Sequence, residues 1–249
     1  KKLTSSPIQI NTCAICVPIV GPTVEDILSQ VQEAVQAEID LIELRPDMWM
    51  KDSHISEEAY IPTIVNLVEE VHSKYEKMPM LFTWRTLAEG GDTSLTNENY
   101  CNLLQAIVNQ NVVDAVDVEL FAYTDTIGQI IKEAHHQGIQ TVMSYHNFHK
   151  TLNRDTLHLY AEQMISAGAA VIKFALMPTT SDDVLSLLQF TKELTERYPQ
   201  LPRITMSMGK LGQMTRTCGH VFGNCLTFGT LGQASAPGQV KVAVLKQLV

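Results

Sequence analysis

The sequence predicts an α/β fold of the (β/α)8 TIM barrel class, and three observations predict it. Short apolar, β-branched runs alternate with longer amphipathic stretches along the whole chain. Eight such pairs can be counted. The length, 249 residues, is what eight β/α units need. Regular alternation of this kind implies parallel strands joined by helical crossovers. A doubly wound open sheet is the alternative. It would carry a glycine-rich phosphate turn after the first strand, and neither that turn nor a P-loop is present. With no linker, internal repeat or low-complexity segment, residues 1–249 read as one domain.

The elements follow in order. The first β-run is 13–19 (CAICVPI); Gly21-Pro22 breaks it, and Thr23 caps a helix over 24–37. The second run, 40–45 (DLIELR), precedes a helical pattern over 57–74. The third, 79–85 (PMLFTWR), leads to a helix capped by Thr96 and running to 109. The fourth, 114–120 (DAVDVEL), is followed by a helix over 125–137 that Gly138 ends. The fifth run is 139–145 (IQTVMSY), and its helix, 154–167, stops at Gly168. The sixth is 170–175 (AVIKFA), with Ser181 capping a helix to 197. The seventh, 203–207 (RITMS), precedes a short helix near 212–218. The eighth is 223–228 (GNCLTF), and a last helix covers 238–248.

Composition excludes several function classes. Eighteen basic against 27 acidic residues leave a net charge of −9, and no Lys/Arg cluster offers a face to a phosphate backbone, so nucleic acid is not an expected partner. No apolar run approaches about 18 residues, so no membrane span is expected, and no signal peptide is recognised. Five scattered cysteines are not a disulfide framework. Cys13 and Cys16 spell CxxC, but positions three apart on a strand face opposite ways, which predicts buried apolar thiols in a reducing cytoplasm.

In a barrel of this class the chemistry sits at the C-terminal strand ends. The polar residues there are Glu43 and Arg45, Arg85 with Glu89 four residues on, Asp117 and Glu119, His146, Lys173, Arg216, and the loop ASAPGQ with Ser235 and Gln239. Lys173 interrupts an otherwise apolar strand. A buried amine must be paired or neutralised, and one whose pKa is depressed is a nucleophile at neutral pH. The plain alternative is a lysine paired with Asp117 or Glu119. His146 closes the neighbouring strand, where an imidazole can take and return protons. His149, three residues on, is expected in the loop, and the other histidines on helices or loops. Three arginines at one end of an acidic protein suggest an anionic small molecule, a carboxylate by their fork geometry. Salt bridges to the nearby acids are the alternative, and both can hold. No carboxylate or Cys lies near His146 and His149 in sequence, so a metal site is not expected.

These segments resemble type I 3-dehydroquinate dehydratase, the Schiff-base-forming enzyme of the shikimate pathway. The matching stretches are DLIELRPD (40–47), FTWRTLAEGG (82–91), VDVEL (116–120), SYHNFHKT (144–151), VIKFALMP (171–178), MSMGKLGQMTR (206–216) and LTFGTLGQASAPGQ (226–239), in order. The resemblance implies a (β/α)8 barrel, usually a homodimer, with no metal or organic cofactor, that dehydrates 3-dehydroquinate to 3-dehydroshikimate. It implies that Lys173 forms the imine, that His146 is the acid/base and that Glu89 orients it. Glu43, Arg45, Arg85, Arg216, Ser235 and Gln239 fall on substrate-binding positions. The family pattern around the histidine is S-x-H-D-F-x-x-T-P, and here Asn147 replaces the Asp and Leu152 the Pro. A class I aldolase also uses a strand lysine, and a catalytically dead barrel could serve as a ligand sensor. The arginines with SAPGQ weigh against the first, and the intact Lys173, His146 and Glu89 against the second.

Overall fold

A computed structural model describes residues 6–51, 53–232 and 236–249. It contains the eight predicted strands: β1 (Ala14–Ile19), β2 (Leu41–Leu44), β3 (Met80–Phe82), β4 (Ala115–Glu119), β5 (Gln140–Asn147), β6 (Val171–Leu176), β7 (Arg203–Ser207) and β8 (Leu226–Thr230). A two-residue β9 (Val240–Lys241) follows. The helices are α1 (Val24–Gln36), α2 (Pro46–Met50), α3 (Glu57–Lys74), α4 (Asn97–Gln110), α5 (Asp125–His136), α6 (Arg154–Ser166), α7 (Ser181–Arg197), α8 (Met214–Cys218) and α9 (Val242–Leu245).

Five of the six long helices start where a side chain satisfies an orphan N–H group, α3 with Ser56 before it being the exception. Thr23, Thr96, Thr124 and Asn153 accept from the N–H three residues on, at the starts of α1, α4, α5 and α6. For α7 the cap is Thr180, not Ser181, because Thr180 and Asp183 form a reciprocal capping box. Two other elements differ from expectation. The short α2 went unforeseen, since one turn opened by Pro46 has no apolar periodicity to read. The last helix shrinks to α9 because Val240 and Lys241 pair with Gly229 and Thr230 instead.

The chain divides into two compact units, one formed by Pro18–Thr141 and the other by Ile8–Val17 with Val142–Val249. In the first, the parallel strands β2, β3 and β4 stand side by side, with Ile42 opposite Met80 and Leu81 opposite Ala115. The end of β1 joins one edge through Arg45 N–H to the Ile19 carbonyl (3.3 Å), and the start of β5 the other through Gln140 N–H to Asp114 (2.9 Å). In the second, β5, β6 and β7 are parallel neighbours, and β1 pairs with β8. A backbone bond from Cys225 to the Arg203 carbonyl (2.8 Å) ties the start of β7 to the segment entering β8. Strands β1 to β4, β6, β7 and β8 are buried along their whole length. Their near-continuous apolar runs are those of parallel strands covered on both faces. Of the CxxC pair, Cys16 is buried as expected; Cys13 is only half-buried, because it precedes β1 rather than lying in it. No helix among the described residues is long and apolar enough to cross a membrane.

Candidate active site

In the first unit, one face of the sheet collects charge. Paired residues of adjacent strands share a face, and so do residues two apart on one strand. Starting from the row Glu43, Leu81, Ala115, steps of two place Arg45, Thr83 and Asp117 in the next row and Arg85 and Glu119 above it. Glu43, Arg85, Asp117, Glu119 and Glu89 are all buried. Such a cluster persists only if every charge finds a partner. Arg85 Nη2 lies 3.0 Å from Asp117 Oδ2, and its Nη1 lies 2.8 Å from Glu119 Oε1 and 4.0 Å from Glu89 Oε2. Burial alone would lower the Arg85 pKa, but the charges of Asp117 and Glu119 outweigh it and hold the guanidinium well above its usual range. Arg45 forks onto buried Asp47 with two bonds of 2.8 Å, and Thr83 donates to Glu43 Oε1 at 3.0 Å. There too burial pulls the Arg45 pKa down, and Asp47 more than restores it. Tyr100 of α4 accepts the Glu119 N–H through its hydroxyl (3.1 Å). Burial, then the charges of Glu119 and Asp117, raises that phenol well above its usual pKa.

In the second unit, Lys173 is buried in the middle of β6, with Nζ 4.7 Å from the centroid of the Phe228 ring. The register puts Ser144, Lys173 and Ile204 in one row. Two residues on, His146, Ala175 and Met206 form the next row on the same face. His146 thus stands one pleat, about 6.6 Å, closer to the C-terminal strand ends than Lys173. Arg216, on α8, reaches that upper row: its Nη1 contacts Met206 Sδ at 3.5 Å, and its Nη2 donates to the Pro237 carbonyl at 3.1 Å. Thr227 of β8 holds the Arg216 carbonyl (2.7 Å), which fixes the base of the side chain. Arg216 is 3% exposed, its Nε has no hydrogen-bond partner, and no carboxylate among the described residues pairs with it. Burial lowers its pKa to about 10.

The remaining expected positions also fall in the second unit. Gln239 is half-buried, just ahead of β9, and Ser235 lies outside the described residues. Next to Gln239, Gly238 has a φ of 78°, and a Cβ there would fall 2.2 Å from the Gly209 carbonyl, so only glycine fits. His149 is exposed in the loop after β5, as expected. The substitution of Asn147 for Asp leaves the turn intact: its Oδ1 accepts the N–H groups of His149 and Lys150, both at 3.0 Å.

Asp117 and Glu119 act as the counter-ions of Arg85, a role the strand-end reading left open. Thr83 and Met206 went unmarked, although stepping by two from Arg85 and from Ile204 leads to each. Phe228 beneath Lys173 and Tyr100 beneath Glu119 arrive through tertiary packing, which no local pattern signals.

The model of the type I 3-dehydroquinase family matches residues 15–249. The chain belongs to that family, and with it to the hydro-lyases. The 3-dehydroquinate dehydratase of Klebsiella pneumoniae is 38% identical over 241 residues, 97% of this chain and 94% of that one. The Enterococcus faecalis enzyme is 39% identical over 93% of this chain and 89% of its own length. Among solved structures, type I 3-dehydroquinate dehydratase from Clostridium difficile, with covalently modified comenic acid, superposes with a TM-score of 0.89 at 34% identity, covering 97% of this chain and 92% of that one. That of E. faecalis gives 0.86 at 35%, over 97% and 94%. The family's (β/α)8 TIM barrel class is therefore the fold class of this chain.

Proposed function

We propose that the chain dehydrates 3-dehydroquinate to 3-dehydroshikimate, the third step of the shikimate pathway, through a Schiff base on Lys173 with His146 as acid and base. It does so as a single catalytic domain and a cytoplasmic homodimer that needs no cofactor. The observation that carries the mechanism is a buried amine in mid-strand with an imidazole one pleat above it on the same face.

Lys173 Nζ, as the free amine, adds to the C3 ketone; the carbonyl oxygen leaves as water and a protonated imine remains. That cation draws electrons from the C2–H bond, His146 takes the C2 proton, and the electron pair forms an enamine. Protonated His146 returns a proton to the C1 hydroxyl, which departs as water as the pair flows back, leaving the conjugated imine. A water molecule then hydrolyses the imine and frees Nζ. One base serving both transfers favours elimination from a single face. The Phe228 ring under Nζ favours the cationic imine, as a π face does any desolvated cation. Glu89 in this reading fixes the tautomer of His146 and supports the imidazolium. Arg216 is the natural partner of the substrate carboxylate, a buried fork short of an anion. Glu43, Arg45, Arg85, Ser235 and Gln239 hold the hydroxyls and ketone.

The test is intact-protein mass spectrometry after 3-dehydroquinate and borohydride. A reduced adduct mapped to Lys173 is expected, and it is lost in Lys173→Ala together with nearly all turnover. Turnover without any adduct in the folded protein would overturn the mechanism. His146→Ala should still trap the adduct while turning over at least 100-fold more slowly, the contribution of a positioned acid/base being about 10²–10⁴-fold.

A further inference from the structure

We propose that Thr86 is a positioning residue for the dehydration: clamped by Glu119, it fixes the turn that presents Glu89. The inference rests on the reading of Glu89 given above.

Every polar group of Thr86 is engaged. Its N–H donates to Glu119 Oε1 at 2.9 Å and its hydroxyl to Glu119 Oε2 at 2.5 Å. Its carbonyl accepts the N–H of Glu89 (3.1 Å) and of Gly91 (2.8 Å). The segment Leu87–Glu89 forms a single 3-10 turn that closes at Gly90 with φ 89°. The turn has no slack, since a Cβ on Gly91 would fall 1.8 Å from the Arg85 carbonyl. The position of the Glu89 backbone is therefore set by Thr86, and that of Thr86 by the carboxylate of Glu119. Glu119 is itself held in place: it ends β4, its N–H donates to the Tyr100 hydroxyl, and it is buried. The line of support runs Tyr100, Glu119, Thr86, Glu89.

Serving Arg85 does not account for the Thr86 hydroxyl. Arg85 already has Asp117 at 3.0 Å and takes only Oε1 of Glu119. The hydroxyl bond goes to Oε2, the oxygen that Arg85 does not use, and ties the turn to that carboxylate. Charge-assisted bonds of this length are the strong ones, and a displacement near 1 Å of a catalytic partner is costly in rate.

The test is steady-state kinetics with 3-dehydroquinate on Thr86→Val, which keeps the shape and the backbone N–H but deletes the hydroxyl. Expected is a fall in kcat of about 10- to 100-fold with KM within about twofold of the parent, since Arg85 keeps Asp117 and Glu119. Thr86→Ser, which restores the hydroxyl, should return most of kcat. Thr86→Val placed on Glu89→Gln should add no further loss, because two residues acting through one function are not additive. Equal losses in both backgrounds, a raised KM with kcat unchanged, or no rescue by serine would overturn the proposal. Should Glu89→Gln leave kcat intact, the assignment of Glu89 fails first, and that outcome is told apart because it needs no Thr86 variant. Thr86→Ala runs the same comparison if the valine variant does not fold.

Discussion

Arg85 in the first unit and Arg216 in the second are both buried, and they are treated in opposite ways. Arg85 and Arg216 are equally inaccessible, at 3% exposure. Arg85 has carboxylates at 2.8 and 3.0 Å, and its pKa rises. Arg216 has a backbone carbonyl, a thioether and an idle Nε, and its pKa falls to about 10. A desolvated charge costs several kcal/mol unless it is paired. The first arginine is part of the fold's internal balance, whereas the second is a standing deficit that an incoming anion can cancel. Burial alone therefore says little about whether a charged group binds an anion; whether its charge is already matched says more.

The largest effect is expected of Arg85→Met. It removes the cation from between Asp117 and Glu119 and leaves both buried. Losing one partner of a buried ion pair costs about 3–5 kcal/mol, so chemical denaturation should show a loss of that size. A variant as stable as the parent would mean that Arg85 is not the keystone of the cluster.

Arg216→Met should act in the opposite direction. Below pH 10 or so the unfolded chain binds the Arg216 proton more strongly than the folded one does, because the folded pKa is the lower. The charge thus destabilises the fold at neutral pH, and this cost fades only as pH climbs past about 10. An apolar side chain of similar length should gain about 1 kcal/mol, a rise in Tm of some 2–4 °C. The same change should raise KM for the substrate about 30-fold or more, since a lost charge partner costs about 2 kcal/mol or more in binding. Unchanged KM would remove Arg216 from the carboxylate site.

Much of this was legible in the sequence, because the barrel's grammar is local. Apolar runs, glycine stops and threonine caps lie within a few residues of the elements they define, so the eight strands fell where they were expected. Polar residues out of place in such runs, Lys173 above all, marked the site face through the two-residue period. The state of each arginine was not legible. Arg85 meets Glu119 from 34 residues away and Arg216 meets Pro237 from 21, and nothing local distinguishes the strand-end arginine that will be matched from the one that will not. Thr86 was passed over for the same reason: its role is defined by a carboxylate on another strand.

The last experiment turns one arginine into the other. Met206 Sδ sits 3.5 Å from Arg216 Nη1, and glutamate has nearly the reach of methionine. Met206→Glu should place a carboxylate against the idle fork and make Arg216 resemble Arg85. The new pair desolvates one more charge while cancelling another, and such exchanges come out near even, so stability should stay within about 1 kcal/mol of the parent. Binding should not: the site now holds its own anion, and a substrate carboxylate meets repulsion where it met an unmatched cation. KM should therefore rise about as far as in Arg216→Met, but without that variant's gain in Tm. If KM held while stability fell, the guanidinium would still be open to substrate, and the deficit of charge would not be what makes it a binding group.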